Sequence, residues 1–162
     1  MRAAAIYPSI DVFCRDLIED SPDAIIYADT GGMIRFWNRG AERIFGFTPS
    51  EAIGRSLDLI IPEPLRQRHW DAYLRAIRTG QMRYGAGDVL AVPGKRKDGT
   101  RVSIEFCVRP FRNREGRTVG VAAILRDVSR RFEEIKALRR EVAALRERLE
   151  ACARTRMSSP TT

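Results

Sequence analysis

A chain of 162 residues, 44% hydrophobic and 31% charged, has the composition of a soluble globular protein with one core and room for an added helix, but not for two domains. No apolar run approaches the roughly 20 residues of a membrane-spanning helix, and the N-terminal stretch, broken by Pro8 and Asp11, lacks a convincing cleavage site, so a cytoplasmic location is expected. The net charge of +8 comes mostly from arginines scattered among acids, not gathered into a stripe with aromatics, and Cys14, Cys107 and Cys152 are too far apart for a disulfide framework or a zinc site; direct nucleic-acid binding and metal clusters are therefore not expected.

Residues 9–20 set Ile10, Phe13, Cys14 and Leu17 at helical spacing, an amphipathic helix that needs a domain or a partner to pack on. Ser21-Pro22 breaks it, the run Ala24 to Asp29 suits a strand, Gly31-Gly32 is a hairpin turn, and Met33 to Asn38 is a second strand. Short helical turns follow over Arg39–Phe47 and Ser50–Ile53 and end at Gly54. A longer helix is predicted from Pro64 to Thr79, with proline in its first turn and Gly80 past its end. Strands are then predicted over Gly87–Gly94, Val102–Phe111 and Thr118–Asp127, separated by the turns Lys97-Asp98-Gly99 and Asn113 to Gly116. In the second of these, Val102, Ile104, Phe106 and Val108 alternate with polar or small residues, the signature of a half-buried strand. Two strands, short helices, then three strands give an α+β fold with an antiparallel sheet covered on one face.

After Asp127 the pattern changes. Ile135, Leu138, Val142, Leu145, Leu149 and Cys152 are spaced 3, 4, 3, 4 and 3, a narrow coiled-coil seam and not a broad core-facing stripe. The expected organisation is an N-terminal amphipathic helix at 1–20, a core at 21–127, a coiled-coil helix at 128–153 that pairs two copies of the chain, and a disordered tail at 154–162. A single helix folded back on its own sheet is the alternative for 128–153.

The strings SPDAIIYADTGGMIRFWNRGAERIFGFTPSEAIGRS, KRKDGTRVSIEF and VAAILRDVSRR resemble the PAS family of sensory domains over about residues 15–130, with Asp127-Val128-Ser129 at the position of the element that joins a PAS core to its output helix. The resemblance implies a five-stranded antiparallel sheet cupping a ligand pocket beneath the helices. Flavin-binding PAS photoreceptors carry a reactive cysteine on a helix; the matching stretch here, Arg55 to Pro62, has none, and blue-light chemistry is not expected.

The heme-binding subclass fits better. Its oxygen-sensing kinases carry Pro-Glu-Pro, a short gap and Arg-His on this helix, and the histidine holds the iron of heme b. Here Pro62-Glu63-Pro64 is followed by Arg68-His69, and Arg75 stands where those sensors place a propionate-facing arginine. His69 is the sole histidine, and on a helix it shares a face with Leu65, Ala72, Tyr73 and Ala76. A neutral imidazole on an apolar face can ligate iron. Counting back from the Lys-Arg-x-Asp-Gly turn, the oxygen sensors' distal arginine falls on Leu90, and their apolar distal residues fall on Phe106 and Val108. A pocket of Leu65, Tyr73, Leu90, Phe106 and Val108 gives dioxygen no polar support, which turns the expected signal toward carbon monoxide, nitric oxide or redox state. Met82 is a candidate for the sixth iron position.

The other reading of His69 is a core histidine satisfied by a backbone carbonyl. The function that goes with it is a heme-free PAS module for small-molecule binding or protein dimerisation. Neither reading makes the chain an enzyme, since no nucleophile–base pair or paired-carboxylate motif is present. With no kinase, cyclase or DNA-binding segment in the sequence, the output is expected to belong to a downstream partner. Gly31-Gly32 and Asp98-Gly99 are read as turns, and Trp37 and Trp70 as packing residues.

Overall fold

The computed structural model describes residues 9–81 and 90–157, the side chains of 90 and 150–157 excepted. The chain divides into two compact units after Asp127, the position at which the sequence pattern changes.

In the first unit, α1 (Ile10–Glu19) precedes β1 (Ala24–Asp29), β2 (Ile34–Trp37), α2 (Arg39–Phe45) and α3 (Pro49–Ala52). The long helix α4 (Arg66–Thr79) then leads to β3 (Leu90–Lys95), β4 (Arg101–Arg112) and β5 (Thr118–Asp127). The strands form one five-stranded antiparallel sheet in the order β2-β1-β5-β4-β3, as the α+β reading requires. Ala24, Ile26 and Ala28 of β1 are buried and pair in register with Leu125, Ala123 and Val121 of β5. Paired residues project to the same side of a sheet, so Ile104, Phe106 and Val108, which pair with Asp127, Leu125 and Ala123, lie on that inner face too. The predicted alternation of β4 is thereby observed.

The core is knotted by a polar residue. Asn38 is fully buried. Its Oδ1 accepts hydrogen bonds from the amides of Ile25 and Ala41, each at 2.9 Å, and its Nδ2 donates to the carbonyls of Ile18 at 2.9 Å and Asp23 at 3.1 Å. One side chain thus caps α2 and ties it to the end of α1 and the start of β1. Gly40 is required beside it, because a Cβ there would lie 2.1 Å from the Asp23 carbonyl oxygen.

Several boundaries differ from expectation by a residue or two, as in α2 and α3, and three further differences concern how an element begins or ends. The helix predicted from Pro64 begins as a 3-10 turn at Glu63–Leu65 and becomes α-helical at Arg66, since proline's locked ring suits a tight first turn. The strand predicted at Gly87–Gly94 is described from Leu90 and continues to Lys95; positions 87–89 lie outside the described residues. The second unit is one helix, α5 (Ser129–Met157), so residues 154–157, expected in a disordered tail, are helical. Within α5 the seam residues Ile135, Leu138, Val142, Leu145 and Leu149 are exposed. None of α1's residues is buried. Among the described residues no helix is long and apolar enough to cross a membrane.

Candidate ligand site on the long helix

The helix α4 packs through Tyr73 and Ala76, which are buried, and through Trp70 and Ile77, which rest on the core. The predicted face is rotated slightly. Ala72, expected inward, is exposed, while Trp70 turns in and donates its indole N–H to Asp58 Oδ1 at 2.9 Å. Gly32 makes room for it, since a Cβ there would stand 2.2 Å from the indole ring.

His69 packs against Trp70 and Tyr73, whose own rings are 5.6 Å apart. Its imidazole centroid is 5.2 Å from Trp70 in an edge-to-face arrangement and 5.7 Å from Tyr73. Its Nδ1 is buried and has no hydrogen-bond partner among the described residues. Burial pushes the imidazole below its ordinary pKa of 6.5, against a smaller upward pull from the Asp58 carboxylate. The ring is therefore held neutral at neutral pH, with a nitrogen lone pair or N–H that the surrounding protein leaves unused. Tyr73, one turn on, is fully engaged: its hydroxyl donates toward the carbonyls of Ala28 at 3.1 Å and Asp29 at 2.6 Å. Burial and the neighbouring Asp29 charge push that phenol well above its usual range.

The other predicted pocket residues fall into two groups. Leu65 caps the start of α4 and is half-buried, close in sequence to His69. Phe106 and Val108 lie half-buried on the inner face of β4 and pack on the core. Leu90 pairs in register with Phe106, and its side chain lies outside the described residues, as does Met82. Arg75 is exposed, and among the described residues its guanidinium makes no hydrogen bond or ion pair. Sequence reasoning missed two contributors. Trp70, expected only to pack, walls one side of the imidazole with its ring, and Asp58, 11 residues upstream of His69, places a carboxylate that acts on it. Asp58 lies in a 3-10 turn at Leu57–Leu59, and no spacing rule links such a turn to the helix after it, so Asp58 carries no signal in the sequence.

A single antiparallel sheet in this order with helices on its inner face defines an α+β domain. Residues 18–133 match the sequence model of the PAS fold, and the chain belongs to that family. It is 41% identical over 94 residues to the sensor protein FixL of Bradyrhizobium diazoefficiens, a match that covers 58% of this chain and 18% of FixL. It is 29% identical over 112 residues to the oxygen sensor protein DosP of Escherichia coli, covering 69% of this chain and 14% of DosP. The chain thus spans less than a fifth of either relative's length. The solved PAS domain of a Colwellia psychrerythraea protein superposes with a TM-score of 0.66 at 23% identity, over 75% of this chain and 99% of that one, which shows the shared fold.

Proposed function

We propose that this PAS domain binds heme b through His69, senses a diatomic gas or the redox state of the iron, and signals without catalysis through a homodimeric α5 to a downstream partner. The observation that carries the reading is the buried Nδ1 of His69 with no partner among the described residues. A satisfied core histidine would bond a backbone carbonyl there; an imidazole nitrogen without such a partner, in a ring held neutral by burial, has the character of a metal ligand. The rest of the donor set fits. Phe106 and Val108 supply an apolar inner wall, Arg75, exposed and without a side-chain partner among the described residues, is suited to a propionate, and the similarity to FixL and DosP supports a sensing role. Heme, when bound, contributes gas ligation and one-electron chemistry at iron.

The chain's own residues carry the response. Phe106 and Val108 pair with Leu125 and Ala123 of β5, so a displacement of the inner wall reaches the strand that ends at Asp127-Val128-Ser129. There the signal becomes a change in the packing of the exposed α5 seam against its copy. A specific observation favours the heme-free module as the second reading: Tyr73 reaches across to the β1 carbonyls, and Trp70 fills the space over Gly32, so part of the room beneath α4 is occupied by side chains. Absorption spectra of the oxidised, reduced, and reduced carbon-monoxide-treated protein after heme addition separate the two. Shifting Soret bands support the sensor, and a colourless protein supports the module.

A further inference from the structure

At the N-terminal end of α4 a cleft of about 320 Å³ is lined by Arg55, Arg66, Lys95, Arg96 and Lys97, with Asp58 the one acid among its walls. Phe47 and Leu59 form its apolar part. Five cations around one opening repel each other unless something negative joins them, and three are tethered already. Arg66 donates to the carbonyls of Asp58 at 3.2 Å and Ile61 at 3.4 Å. Lys97 is held 2.5 Å from Glu51 and lies over the Phe47 ring. Arg96 donates to the Ile44 carbonyl and pairs with Asp127 at 2.7 Å. Among the described residues, Arg55 and Lys95 have no side-chain hydrogen bond or ion pair. Even with Glu51 and Asp127 counted against Lys97 and Arg96, the cations outnumber the acids.

We infer that this cleft is a binding site for a small multivalent oxyanion, phosphate- or carboxylate-based, received by Arg55 and Lys95, with Phe47 and Leu59 accommodating an apolar portion. The volume is at the lower end for small-ligand sites, and clustered guanidinium and ammonium donors suit oxyanions. Arg96 gives the site a consequence. Its guanidinium is shared between the cleft wall and Asp127, the last residue of β5, so an anion that draws on Arg96 competes with the ion pair at the exit of the sheet. The cleft shares Asp58 with the surroundings of His69, but the oxyanion would be received without His69 or heme.

The test is calorimetric titration of the full chain, without heme, with inorganic pyrophosphate and in a second arm with citrate, at about 0.15 M salt, where the Debye length is about 8 Å and diffuse attraction is screened. Saturable binding of either anion with a midpoint below about 1 mM is expected. Arg55→Ala and Lys95→Ala should each weaken it by about tenfold, Arg114→Ala on the β4–β5 turn should leave it unchanged, and Asp127→Asn should tighten it by freeing Arg96. No saturable binding of either anion, or equal losses with Arg114→Ala, would overturn the proposal. Circular dichroism of each variant keeps a folding defect distinct from a lost contact.

Discussion

His69 and Tyr73 lie one turn apart on α4 with their rings 5.7 Å apart, yet the phenol is held by two carbonyls while the imidazole Nδ1 has no partner among the described residues. Tyr73 is the anchor and His69 the free donor. Tyr73→Phe keeps the ring and removes the hydroxyl that ties α4 to β1, so it should destabilise the domain by about 1–2 kcal/mol. If the tie also fixes His69, heme affinity should fall with it. Urea denaturation of the two proteins gives the first quantity; an unchanged midpoint would show that the tie contributes nothing.

The buried Asn38 makes a second prediction. Four hydrogen bonds converge on its amide, and Asn38→Ala leaves two amides and two carbonyls to find other partners in a dry core. The loss should be about 3 kcal/mol or more, larger than for any exposed ion pair in the domain. Thermal unfolding checks it, and a loss below about 1 kcal/mol would mean that water replaces the side chain.

The depressed pKa of His69 gives a signed pH dependence. The unfolded imidazole protonates near 6.5 and the folded one only at lower pH. The folded state is therefore undiminished above 6.5, and stability is lost as pH falls through the interval below it, because the unfolded chain takes up the proton first. His69→Leu should remove this loss in the window above the carboxylate range. Melting temperatures of both proteins from neutral to mildly acidic pH decide the matter; parallel curves would mean that the ring is not buried in solution.

Much of this was legible in the sequence, and the reasons are local. The alternation of Val102, Ile104, Phe106 and Val108 has the period of a strand with one wet face, and β5 occupies Thr118–Asp127 as predicted because turn residues bound an apolar run. His69, Tyr73, Phe106 and Val108 were marked by position within those elements. The roles of Asn38, Asp58 and Arg96 were not legible, because each depends on partners brought close only by the tertiary fold: Asn38 on Ile18 and Asp23, Asp58 on Trp70, Arg96 on Ile44 and Asp127. The inward turn of Trp70 follows from the absence of a side chain at Gly32, a complementarity that helical spacing does not encode. The helix past Ala153 is not legible because polar composition there suggests disorder, although Arg154, Arg156 and Met157 are good helix formers.

The exposed α5 seam supplies the fourth prediction. If two copies pair through it, Leu138→Arg places a charge in the seam and should convert a dimer to a monomer. Sedimentation equilibrium of both proteins is the measurement. A wild-type chain that is already monomeric at tens of micromolar, or a variant that stays dimeric, would remove α5 as the pairing element.

The central claim, that His69 is a ligand for iron, is tested most directly by titrating heme into the wild-type chain and into His69→Ala while following the Soret band. The account predicts a stoichiometric, sharpened Soret band for the wild type and only the broad spectrum of free or weakly adsorbed heme for the variant. Identical spectra in the two proteins would contradict it.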